Sequence, residues 1–113
     1  MKHTPSLNWA LVLEERQRVA DGAGGFNETW VTLGTVWGEV QARGARVTEV
    51  SAGATSLARY RIYVRGAPKD DLKRPKVGQR FRYGDSAYTI DSVSESDSSA
   101  MYLMCLVREE VLS

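Results

Sequence analysis

The side chains able to do chemistry in this 113-residue chain form a thin set. His3 is the sole histidine and lies in an N-terminal stretch of the kind that frays. A hydroxyl nucleophile therefore lacks its histidine base, and a multi-histidine metal site lacks its ligands. Cys105 is the only cysteine, which rules out an intrachain disulfide and any cysteine-built metal site. It sits in the apolar run Met101-Tyr102-Leu103-Met104-Cys105-Leu106-Val107, where a thiol is expected to be buried and inert. A reactive thiol needs an electropositive, partly exposed setting instead. Carboxylates come as Glu14-Glu15, Asp70-Asp71, Glu95 with Asp97, and Glu109-Glu110. Strand neighbours point to opposite faces, so adjacent pairs do not converge as acid and base, and solvated surface charge is the expected role. Asp21-Gly22-Ala23-Gly24-Gly25 invites a phosphate-loop reading, but neither Gly-Lys-Ser/Thr nor a helix N-terminus follows. We expect no catalytic residue, no cofactor and no metal.

Nucleic-acid binding is the other chemistry to weigh. Arg59, Arg61, Arg65, Arg80 and Arg82 interleave with Tyr60, Tyr63, Phe81 and Tyr83, which a small oligonucleotide-binding barrel would also show. The alternation, however, sets most arginines on one face and aromatics on the other, as in any half-buried strand. Lys plus Arg number 15 against 14 Asp plus Glu, a net charge of +1, so the electrostatic excess that drives phosphate binding is missing.

The elements that hold these residues read as strands. Arg59-Tyr60-Arg61-Ile62-Tyr63-Val64-Arg65 alternates with period two, Tyr60, Ile62 and Val64 facing inward. Residues 29–41 are rich in Trp, Val and Thr and predict one long strand or two collinear ones, with Gly34 or Gly38 at a bulge or bend. Residues 9–18 offer Trp9, Leu11 and Leu13 on one side. Arg80-Phe81-Arg82-Tyr83 and residues 87–93 flank the turn Gly84-Asp85-Ser86. The run at 101–107 is apolar on both faces and predicts a central strand covered on each side. The glycines at 22–25 predict a hairpin turn, the serines at 92–99 a polar loop, and the prolines and charges at 67–76 a solvated connector. Residues 44–58 are small and weakly patterned, and predict a long inter-strand loop with an optional short helix over 48–54. One all-β domain results: an antiparallel barrel or sandwich of about six strands over 7–109, preceded by a flexible tail at 1–6. Trp30 and Trp37, seven apart, point to opposite faces of an uninterrupted strand. Trp30 is expected in the core and Trp37 in the core or at an interface. The N-terminus lacks the apolar stretch of a signal peptide, and no run reaches the ~18 apolar residues of a membrane span, so a cytoplasmic start is expected.

One ordered set of elements carries a resemblance. A Glu/Arg-rich strand, Leu13-Glu14-Glu15-Arg16-Gln17-Arg18, precedes the turn holding Gly24 and Gly25, then a strand with Trp30 and a second tryptophan at Trp37. A variable loop, the Arg-rich strand 59–65, Gly78-Gln79-Arg80-Phe81-Arg82-Tyr83-Gly84-Asp85, Tyr88-Thr89-Ile90 and the closing run from Tyr102 to Glu109 follow. In that order, over nearly the whole chain, the sequence resembles the small head–tail joining proteins of tailed bacteriophages. These are also called head-closure or stopper proteins, and phage-derived gene transfer particles would use the same part.

The resemblance implies a structural subunit and no enzyme. Such proteins assemble as homo-oligomeric rings in the particle neck, between the portal or adaptor protein and the tail or its terminator. Packaged DNA passes through the ring without sequence-specific binding, and no membrane is involved. Assembly in the host cytoplasm and a final place in the virion neck are implied with it. The 44–58 loop then becomes the channel-facing or inter-subunit element, with Arg43, Arg46, Val47, Glu49, Val50 and Leu57 as candidates. Arg43 and Arg46 stand near phosphate in that reading. Near-neutrality suits a ring that must surround DNA without gripping it. The alternatives are another neck ring of tail-terminator type and a small barrel for single-stranded nucleic acid.

Overall fold

The computed structural model describes residues 4–50, 53–96 and 101–111. Among them are six strands: β1 (Trp9–Ala20), β2 (Phe26–Val50), β3 (Gly53–Arg65), β4 (Arg80–Tyr83), β5 (Ser86–Glu95) and β6 (Tyr102–Val111). All pairings are antiparallel, and the order β1-β2-β3-β6-β5-β4 closes on itself as a barrel. The all-β barrel that the period-two patterns predict is therefore the fold.

Inward-facing side chains supply the core: Leu11 and Leu13 from β1, Ile62 and Val64 from β3, Phe81 from β4, Tyr88 and Ile90 from β5, and Leu103, Cys105 and Val107 from β6. Those of β1, β3 and β4 lie on the alternating face that the strand's sequence marks as apolar. Strand β6 is central, between β3 and β5. Its outward residues Met104 and Leu106 are only half-buried, however, so the chain covers one face of this strand rather than both.

Strand β2 pairs with β1 up to Gly38 and with β3 from Gly38 onward. At that corner a Cβ would stand 2.9 Å from the Tyr63 carbonyl oxygen and 3.0 Å from Leu11 Cδ1. Gly38 is required there because two strands approach it on the core side at once.

Three bulges shape the rest. The register slips between Leu13 and Glu14, between Ala42 and Gly44, and between Ile90 and Ser92, leaving Leu33, Arg43 and Asp91 as the extra residues. Beyond the first bulge, β1 and β2 run on as a two-stranded arm that starts by pairing Glu15 with Val31 and ends by pairing Ala20 with Phe26. Past the second, β2 and β3 run on as another ribbon, from Ala45 opposite Ala58 to Val50 opposite Gly53. Over the described residues 44–50 and 53–58, the expected loop with its optional helix at 48–54 is thus a β ladder. No third strand joins this part of it, since β6 meets β3 only from Arg59 on. A free-standing ribbon needs no alternating apolar face, which is why the sequence shows no period there.

The bulge at Leu33 also corrects the tryptophans. It restores Trp30 to the outer face that Trp37 occupies, so neither enters the core. The tail expected at 1–6 is docked from Pro5, which is buried, and the Ser6 N–H donates to Glu39 Oε1 at 3.1 Å.

Gly38→Ala forces its new methyl onto backbone at the corner and should cost about 1–3 kcal/mol, read as a lower midpoint in chemical denaturation. Burial pushes the Cys105 thiol up to about 12 from 9.0, so it should react with a thiol reagent at pH 8 at least ~100-fold faster once unfolded. Because the folded value is the higher one, this contribution to stability is complete below pH 9.0 and is lost as pH rises toward 12. Tyr88, raised by burial, and Tyr60, raised by its bond to Glu109, act in the same direction. The unfolding free energy should fall on the alkaline side, with a shallower slope in Cys105→Ala. An unchanged slope would exclude the thiol as a contributor.

Candidate functional site

The barrel closes where β4 meets β1, at Val12, Leu13 and Glu14 opposite Arg82, Phe81 and Arg80. Leu13 and Phe81 fill the inside of this short seam. On the outside Glu14, only 5% exposed, accepts a hydrogen bond from Arg80 Nε at 2.7 Å and faces Arg82 Nε at 3.4 Å. The Arg80 guanidinium lies 4.0 Å from the centre of the Trp30 ring, and Arg16 adds a longer approach at 5.9 Å. Glu14 is thus a buried, doubly paired carboxylate rather than the solvated charge expected of it. Glu15, on the opposite face, is within 3.4 Å of Gln79 Nε2.

A second polar cluster sits across the sheet. Glu109 accepts hydrogen bonds from the Tyr60 hydroxyl at 3.0 Å and the Ser86 hydroxyl at 2.8 Å. Tyr60 stacks edge-on against Tyr88, 5.4 Å between ring centres. Asp91, the bulge residue of β5, takes both hydrogen bonds from Arg108 Nε, at 2.9 and 3.0 Å. These are structural pairings, each tying neighbouring strands. Among the described residues no three His, Cys, Asp or Glu side chains gather as a metal site.

The β1–β2 arm is built around its turn. Asp21 Oδ1 accepts from the Ala23 N–H at 2.8 Å and the Gly25 N–H at 3.1 Å, and these bonds hold its carboxyl below the usual range. Gly24 takes φ 87°, which only glycine adopts freely, and the turn is the one the glycines predict. The arm exposes Val19 (50%), Phe26 (58%) and Val31 (36%), with the Arg18 guanidinium 4.4 Å from the Phe26 ring centre. These exposed apolar side chains on an otherwise polar arm are available for protein contact. Sequence reading missed it, since Val19 and Phe26 match no burial pattern.

The other expected positions separate into three groups. Phe81 and Tyr88 are core; Gly78 and Gly84 occupy turns at φ 92° and 60°; Tyr83 and Trp37 are exposed at 47% and 56%. Tyr83 still packs on Trp9, with ring centres 4.8 Å apart. Arg43, the bulge residue at the base of the β2–β3 ribbon, is exposed. Arg46 pairs in register with Leu57, Val47 with Ser56, Glu49 with Ala54 and Val50 with Gly53, so the structure brings these candidates onto one ladder. Their side chains, and His3, lie outside the described residues.

Glu14→Ala leaves Arg80 with a lost partner at the closing seam and should cost about 3 kcal/mol in denaturant unfolding, against less than about 0.5 for Glu15→Ala. Equal effects of the two would remove the seam's special standing.

Comparison with known proteins fits this catalogue of packing contacts and arms. No curated protein matches the chain. A chain in a solved structure described as the virion of a native gene transfer agent particle is similar throughout. The two share 42% identity and a TM-score of 0.85, over 97% of this chain and 100% of that one. A family model described as phage head completion protein matches residues 3–110. That match takes in five of the six strands entirely and β6 up to Glu110, and the chain belongs to the phage head completion protein family, as a structural component.

Proposed function

We propose that the protein is a subunit of a neck ring joining head to tail in a phage-like particle, set below the portal or adaptor and contacted by tail proteins on its other side. The observation that carries this reading is the β2–β3 ribbon, which runs from Ala45 opposite Ala58 to Val50 opposite Gly53 with no third strand beside it among the described residues. A closed barrel has satisfied its own core and sheet edges, so it does not need so long a ribbon for stability. An element that extends from a stable body is what a ring uses to reach its neighbours or its lumen. Family membership and the likeness to a gene transfer particle chain support the setting. Ring closure requires heterologous contacts, for which the barrel wall and the β1–β2 arm, with Val19 and Phe26 exposed, are suited.

In this reading the ribbon faces the channel or the next subunit, and Arg43 stands at its root. The ring helps retain packaged DNA by filling space rather than by binding sequence. A net charge of +1 fits that task, because a strongly basic lumen would hold DNA against ejection.

Replacing residues 45–57 by a two-residue turn should leave the barrel folded, with an unfolding midpoint close to that of the full chain. Particles carrying the shortened protein should fail to join heads to tails or should lose their DNA, scored by electron microscopy and nuclease-resistant DNA. Normal particles would sink the ribbon's role; unfolding would show that the ribbon belongs to the core. Salt-sensitive micromolar binding of oligonucleotides by the isolated chain would favour a nucleic-acid module over a neck ring.

A further inference from the structure

The corner of the barrel at Gly38 leaves a groove on the outer wall, of about 260 Å³, that the seam and the ribbons do not use. Its walls are Leu7, Val36, Trp37 and Ala67, and Arg65 and Lys73 stand at its rim. Trp37 is 56% exposed, although tryptophan is highly buried on average. No carboxylate lines the groove. Among the described residues neither Arg65 nor Lys73 has an ion-pair partner, although Glu14, Glu28 and Asp91 each pair with an arginine elsewhere on the surface. An aromatic wall beside two uncompensated cations is therefore a concentrated apolar and positive feature on a chain of almost zero net charge.

The backbone beside it is also open. Strand β3 joins β2 only from Gly38 on, so Thr35, Val36 and Trp37 are paired with β1 on one side and meet the groove on the other. The chain leaving β3 at Gly66 bonds to β6 instead, its N–H donating to the Met101 carbonyl at 2.7 Å. An unpaired strand margin next to an apolar pocket is the arrangement that takes an extended segment, with main-chain bonds for affinity and a pocket for one side chain.

We infer that this groove is a docking site for an extended acidic peptide segment of another protein, anchored by one large apolar side chain against Trp37 and held by carboxylates on Arg65 and Lys73. The charge of the rim decides the chemistry of the occupant: a basic or neutral segment would leave both cations uncompensated, and an acidic one pairs them. The inference concerns the single folded chain and stands whether or not that chain forms a ring.

The test uses the isolated full-length protein and a fluorescein-labelled octapeptide bearing four acidic residues around one phenylalanine, followed by anisotropy. A matched peptide carries lysines in place of the acids. The acidic peptide should bind at least about tenfold more tightly than the lysine peptide, and its binding should weaken as salt rises from about 50 to about 300 mM. Trp37→Ala should weaken it by about tenfold or more with the unfolding midpoint little changed, as the side chain is largely exposed. Arg65→Glu combined with Lys73→Glu should reverse the preference toward the lysine peptide, a result that general destabilisation does not produce. Equal binding of the two peptides, or indifference to both sets of substitutions, would overturn the proposal. So would concentration-dependent self-association that Trp37→Ala abolishes without any peptide binding, since the occupant would then be a second copy of the chain.

Discussion

The barrel depends on its shortest seam. Strand β1 meets β4 at only three register positions, and without that meeting the sheet stays open and its inner face stays wet. Glu14 lies at the centre of the outer surface of this seam, buried against Arg80 and Arg82, with Trp30 shielding Arg80 from solvent. A carboxylate and guanidinium taken out of water together gain little net stability over an apolar pair. They do fix direction and register: a slip by one residue would place Glu14 inside the barrel and Leu13 outside. The inner contact of Leu13 with Phe81's strand supplies the apolar burial, and the outer ion pair makes that pairing the one that forms.

Closure in turn frees the ribbons. Once six strands satisfy one another in a ring, the excess length of β1, β2 and β3 has no place in the wall and must leave it. It leaves at bulges, at Leu33 for the β1–β2 arm and at Arg43 for the β2–β3 ribbon, where an extra residue increases the local twist. The same long strand, Phe26–Val50, contributes to both and turns the corner between them at Gly38. Body and arms are thus one continuous device: a rigid core sets the angles at which two flexible-length ladders project.

This division suits a head completion protein, a structural component of a phage-like particle. The core holds the only thiol where burial keeps it protonated, and the polar clusters at Glu14, Glu109 and Asp91 are consumed by pairing neighbouring strands. Among the side chains left over for contact are three that the strand patterns do not explain, Val19, Phe26 and Trp37, exposed and apolar.

Local patterns in the sequence were enough for the inner face of the barrel. Alternation in Leu11 and Leu13 and in Ile62 and Val64 marks those residues as core because a strand presents every second side chain to one side; the run 101–107 is apolar throughout, and the barrel alone selects Leu103, Cys105 and Val107. The glycines at 22–25 and at 84 similarly mark turns, since their backbone angles are intrinsic to the residue. Tertiary structure alone decided what lies outside. Glu14 and Glu15 are indistinguishable in sequence, and only the arrival of β4 buries one of them. Trp30 and Trp37 change from opposite faces to the same face because of a single bulge at Leu33, which no local preference announces. Residues 44–58 show no strand period, and only the pairing of β2 with β3 makes a ladder of 44–50 and 53–58. Patterns record which side of a strand is dry; which strands meet, and where the excess chain leaves, depends on contacts between residues far apart in sequence.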